Sequence, residues 1–288
     1  MKRLLLLLAV ALLPWAVAFG LLKRVARARQ GDPEVRTALA VAQRLTRIDD
    51  PAAFCFRYAL YRLVDDADLA IGVARGAGWG RRWVHWQGPR FPAHGAFVAL
   101  TFHLGAGLPA WWALGRHDKG VAWIYAMPTP MPTGLALRLA RMRLALVERL
   151  GGAASIATGG ARHKAQAWLE DEGAVMGLID APHFGQRKVT DVRLLGERAG
   201  LARGLAELAL SCAAPVYLYS ARLAEDSGRR VVSVRGPVEE ESVEALMHRA
   251  AAFLDEELRA DPAAWHFWVP GVLERGFPPS DEQSRHGA

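Results

Sequence analysis

The sequence predicts an α/β protein, a mainly parallel, mixed sheet with helices on both faces. Three observations predict it. Short runs apolar almost throughout, such as Phe97–Phe102 and Gly173–Ile179, read as buried parallel strands. Longer stretches with helix-type signals alternate with them. Two of the runs end on a polar residue, His103 and Asp180, at the strand ends where open α/β sheets bind ligands.

Met1-Lys2-Arg3 opens the chain, and Leu4 to Leu22 follows without a charge, 19 residues against the roughly 20 that span a bilayer. Pro14 marks a kink within it, and Ala16-Val17-Ala18 imitates a signal-peptidase site. Lys23, Arg24, Arg27 and Arg29 follow at once and favour a cytoplasmic body. The expectation is an uncleaved anchor, spanning a membrane or lying in its inner leaflet, over residues 1–30. One α/β domain over 31–276 and a disordered tail over 277–288 complete the organisation.

Residues 31 to 75 read as helical, opened by Asp32-Pro33-Glu34 and nearly all apolar from Phe54 to Val64. Asp65, Asp66 and Asp68 are placed to pair with arginines; they lack the glycine and further acid of a calcium loop, so no metal is expected, and no cofactor. Gly76–Gly80 reads as a break and Trp83–Gly88 as the first strand. Phe97–Phe102 is the central strand, followed by a glycine-containing turn and an apolar helix start at Ala110-Trp111-Trp112. Val121–Tyr125 is the next strand, and the proline-rich stretch Met127–Pro132 a stiff loop. Leu135–Leu150 is a helix closed by Gly151-Gly152; its arginines are too spread around the helical period to form one stripe. A short strand ends at Ser155–Gly160, a helix runs from Ala161 to Glu172, and the strand Gly173–Asp180 follows. The stretch from Val192 reads as a strand, then a helix opened at Gly204. Ala214–Tyr219 and Arg230–Val234 are the last strands, and Glu239–Arg259 the last helix.

Lys and Arg number 36 against 29 Asp and Glu, a net charge of +7, which suits nucleic acid, anionic headgroups or an acidic carrier protein. No nucleic-acid-binding motif accompanies that charge, and the hydrophobic opening argues against such a partner. The two cysteines, Cys55 and Cys212, show no metal or disulfide framework and fit a reducing compartment.

His103 reads either as a chemically active imidazole or as a hydrogen-bonded histidine at a strand end. Asp180 is a carboxylate at the end of a buried strand, and needs a partner: His103, or Arg187 or Lys188 in the following loop.

His103-Leu104-Gly105 with its apolar sequel resembles the catalytic block of the lipid A lauroyl/myristoyl acyltransferase family, membrane enzymes related to other glycerolipid acyltransferases. Further blocks are similar to that family: Phe54–Leu69, the basic helix around Arg141-Met142-Arg143, Asp180 to Lys188, Val192 to Ala209, and Trp265-His266-Phe267-Trp268, about residues 45 to 270 in all. The family carries an acid five residues after the histidine; here that position is Leu108. The resemblance implies a glycerolipid acyltransferase-like fold and transfer of a fatty acyl group from acyl carrier protein or acyl-coenzyme A to a lipid or glycolipid hydroxyl. His103 would be the general base, with Asp180 orienting it in place of an acid at 108. Gly105, Arg141, Arg143, Arg187 and Lys188 would bind substrate. The alternative is a catalytically inactive relative that binds acyl chains or carrier protein.

Overall fold

The computed structural model describes residues 2–105, 108, 116–126, 133–180 and 188–271. The expected apolar helix at 110–112, the loop at 127–132, Arg187 and the tail at 277–288 lie outside those residues.

The chain begins with helices α1 (Lys2–Leu12), α2 (Trp15–Arg29), α3 (Pro33–Leu45) and α4 (Pro51–Trp83). Strands β1 (Val84–Gln87), β2 (Phe97–Thr101) and β3 (Val121–Tyr125) follow, then α5 (Gly134–Gly151), β4 (Ile156–Ala157), α6 (Ala161–Glu170) and β5 (Ala174–Leu178). A hairpin of β6 (Val189–Leu194) and β7 (Glu197–Ala202) leads to α7 (Gly204–Ser211), β8 (Val216–Leu223), β9 (Arg230–Val238) and α8 (Val243–Ala260).

Seven strands form one sheet in the order β1-β9-β8-β2-β5-β3-β4. Every pairing is parallel except β8 with β9, as a mainly parallel mixed sheet requires. All five residues of β2 are buried, because helices cover both faces. Val98 and Leu100 point into one core, with α2, α4, α7 and α8. Phe97 and Ala99 point into the other, with Leu146, Val147 and Leu150 of α5. That alternation is the two-residue period of a strand buried on both sides.

Local signals set several ends. Asp50 caps α4 by accepting from the Ala53 N–H at 2.9 Å, with Pro51 in the first turn. Ser242 caps α8 in the same way at 3.1 Å. The expected break at Gly76–Gly80 is a kink: Gly76 takes φ 62°, ψ −166°, and helix resumes to Trp83.

The single N-terminal span expected from hydropathy is not formed. Pro14 divides Leu4–Leu22, because it lacks an N–H and its ring clashes with the preceding turn. It takes φ −51°, ψ 139°, and its carbonyl starts α2 by accepting from Val17 and Ala18. The two helices then fold onto α4, burying Val10, Trp15, Ala18, Phe19, Leu22 and Ala26 in the core. Among the described residues no helix is long and apolar enough to cross a membrane.

Candidate active site

Parallel pairing puts the ends of β2 and β5 at one edge of the sheet. Thr101 stands opposite Leu178, and two residues further along each chain come His103 and Asp180. The structure brings these two together. The Asp180 carboxylate accepts from the His103 backbone N–H at 2.9 and 3.1 Å, and its Oδ1 lies 2.8 Å from His103 Nδ1. Its Oδ2 also accepts from Trp265 Nε1–H at 2.9 Å. The Asp180 side chain is 1% exposed, and that of His103 28%. A carboxylate so buried is stable only when its lone pairs are satisfied, and these donors satisfy them. Since Asp180 accepts, Nδ1 carries the proton in this arrangement, and Nε2 is left with the lone pair.

The closing segment of the domain straps this edge. Gly105 N–H donates to the Ala264 carbonyl at 2.7 Å, and His266 N–H to the His103 carbonyl at 2.9 Å. Leu104 and Trp265 pair between them as an antiparallel bridge. The Phe267 ring lies 4.2 Å from that of His103, centroid to centroid. The strap is anchored at its start, where Asp261 accepts from Tyr61 and Arg57 of α4, both at 2.5 Å.

His266 Nε2 lies 2.7 Å from the Gly105 carbonyl. A carbonyl only accepts, so Nε2 carries the proton. Burial drives the His266 pKa down to about 4, with Arg62 and His103 pushing the same way against Asp65. The ring is therefore neutral at pH 7 and braces the turn that carries His103. Burial raises the Asp65 pKa, but Arg143 and His266 outweigh it and hold the group below its usual range.

The other residues singled out by sequence fall differently. Gly105 takes φ +61°, and a Cβ there would stand 1.9 Å from the Ala221 carbonyl oxygen. Its N–H is occupied by Ala264, so that group is not free to bind a substrate oxyanion. Leu108 is buried in the cluster with Leu69, Phe97 and Val121. Arg141 is exposed on α5. Arg143 pairs with Asp65 at 2.7 Å, so its charge is largely matched. Lys188 lies 3.7 Å from Glu207, not on Asp180. Asp68 is paired with the buried Arg230.

Sequence reasoning missed Trp265 and His266 as site residues. Their signal was two polar ring edges in an otherwise apolar segment at the end of the domain. Compared with known protein families and with curated proteins, the chain matches none.

Proposed function

We propose that the protein is a membrane-associated O-acyltransferase, moving a fatty acyl group from a thioester of acyl carrier protein or coenzyme A to a hydroxyl of a lipid or glycolipid. The observation that carries this reading is the 2.8 Å contact between His103 Nδ1 and Asp180, with the carboxylate held from a third side by Trp265. It fixes the imidazole with Nε2 as the base. Nε2 takes the proton of the acceptor hydroxyl as that oxygen attacks the thioester carbonyl. The tetrahedral intermediate then expels the thiolate, which recovers the proton from the imidazolium. Asp180 keeps the tautomer and stabilises the charged ring between the two steps.

The acyl donor and lipid acceptor are supported by the resemblance of the His103-Leu104-Gly105, Asp180–Lys188 and Trp265–Trp268 blocks to the lipid A lauroyl/myristoyl acyltransferase family. Asp180 supplies the acid that Leu108 does not. A bacterial inner-membrane location, with the body on the cytoplasmic side, is supported by Lys23, Arg24, Arg27 and Arg29 beyond the apolar opening.

The second reading is an inactive accessory that binds acyl chains or carrier protein. The buried Leu108 and the occupied Gly105 N–H favour it. His103→Ala separates the two. In cells the enzyme reading predicts that the variant, like deletion, removes an acylated lipid seen by mass spectrometry. An unchanged lipid profile in the variant, against a changed one on deletion, supports the accessory.

A further inference from the structure

We propose that the protein docks flat on an anionic bilayer, without crossing it, through a face built from α1, α2, α4 and α5. Among the described residues, the large apolar side chains left exposed are Leu5 (59%), Leu8 (52%), Leu12 (80%), Val17 (56%), Val73 (48%) and Met142 (47%). Each lies on α4 or on a helix packed directly against it, namely α1, α2 or α5. None lies on α6, α7, α8 or the sheet. Scattered apolar residues need no explanation; six confined to one group of helices mark an interaction surface.

The helical period sharpens the pattern. Leu5, Leu8 and Leu12 fall on one stripe of α1, while Val10 faces the core. On α2 the outer face carries Val17 and then, two turns on, the exposed Arg24 and Arg27. An apolar stripe leading into cations on the outward side suits an acyl boundary with anionic headgroups above it. A second copy would set these same arginines against each other, on a chain already at +7.

Two observations argue for lying flat. An α1 of 11 residues reaches about 16 Å, roughly half a hydrocarbon core. Its end is also tied down: Arg75 of α4 donates to the Ala11 carbonyl at 2.8 Å and to the Leu13 carbonyl at 2.5 Å. These bonds satisfy carbonyls that the break at Pro14 leaves open, and they hold the leucine stripe outward against the body.

The face and the candidate site share α4. Asp65, whose charge acts on His266, precedes Val73 by eight residues, about 12 Å along the helix. The inference deepens the acyltransferase reading by naming the side from which a bilayer lipid would reach His103, and in that respect it rests on that reading.

The test uses the full chain and vesicles of phosphatidylcholine with or without phosphatidylglycerol, in a flotation assay. The protein should float with the anionic vesicles and less with neutral ones. Leu5→Gln/Leu8→Gln/Leu12→Gln should lower that partition by at least roughly tenfold, with the melting temperature unchanged because these side chains are exposed. Fluorophores placed by Leu8→Cys and Val73→Cys, in a Cys212→Ser background, should both be quenched more by headgroup than by mid-chain nitroxides. The proposal is overturned if the protein does not float, or if the triple variant floats as well as the parent. Stronger mid-chain quenching at Leu8 would overturn it too, as would a dimer in sedimentation that the triple variant loses. No thioester or acceptor enters the assay, so its failure leaves the acyl-transfer reading to its own test.

Discussion

The Trp265 indole and the His103 imidazole grip opposite oxygens of one carboxylate. The indole N–H reaches Asp180 Oδ2 at 2.9 Å, and His103 Nδ1 lies 2.8 Å from Oδ1. The donors come from strands and segments 162 residues apart, so the orientation of the imidazole depends on the C-terminal strap being docked.

Trp265→Phe keeps a ring against Trp268 and Phe267 but deletes the N–H. The buried Asp180 Oδ2 then loses one of its two donors and keeps only the His103 backbone N–H, at a cost of about 1–3 kcal/mol. Under the proposed acyl transfer, kcat should fall about tenfold with KM little changed, because the indole would hold the proposed base and not the substrate. Steady-state kinetics at several acceptor concentrations check this; a rise in KM alone would place Trp265 in substrate binding instead.

His266 gives the fold a pH dependence. Its native pKa of about 4 lies below the unfolded value of 6.5. Between these values the unfolded chain holds the extra proton, so this group's stabilising contribution is present above pH 6.5 and is lost as pH falls towards 4. The loss is at most about 3 kcal/mol, less to the extent that water reaches the half-buried ring. Urea melts across that range should show a slope that His266→Gln flattens. An equal slope in the variant would assign the dependence to other groups.

Arg230 is fully buried, held by Asp68 and the Gly228 carbonyl, and lies over the rings of Trp15 and Trp79 at 4.2 and 5.0 Å. Asp68→Ala should cost about 3–5 kcal/mol by stranding the guanidinium, roughly 10 °C in melting temperature for a chain of this size. Adding Arg230→Met should recover much of the loss, since an apolar side chain suits that aromatic slot. A double variant as unstable as the single one would mean that the pair is worth more than the burial it displaces.

The sheet was legible because burial on both faces writes an unbroken apolar run, as at Phe97–Leu100 and Ala174–Met176. The meeting of His103 and Asp180 was half legible: both follow such runs, but adjacency depends on β2 pairing with β5, a long-range choice that no local pattern encodes. Hydropathy misread the N-terminus because a window sums apolar residues without asking which face they occupy. Val10, Trp15, Phe19 and Leu22 are apolar for the core's sake. The β6–β7 hairpin was read as one strand, although its turn, Leu195-Gly196, has positive φ at both positions (55° and 88°), the geometry of a two-residue hairpin loop. Leucine is a poor advertisement for that turn.

The most direct measurement is acyl transfer by Asp180→Asn, with an acyl-carrier-protein or coenzyme A thioester as donor and a lipid extract as acceptor. An amide retains the shape but can present its NH2 to Nδ1 and so favour the other tautomer. The account predicts turnover lower by about three to four orders of magnitude in a protein that still folds. Turnover near that of the parent would contradict it.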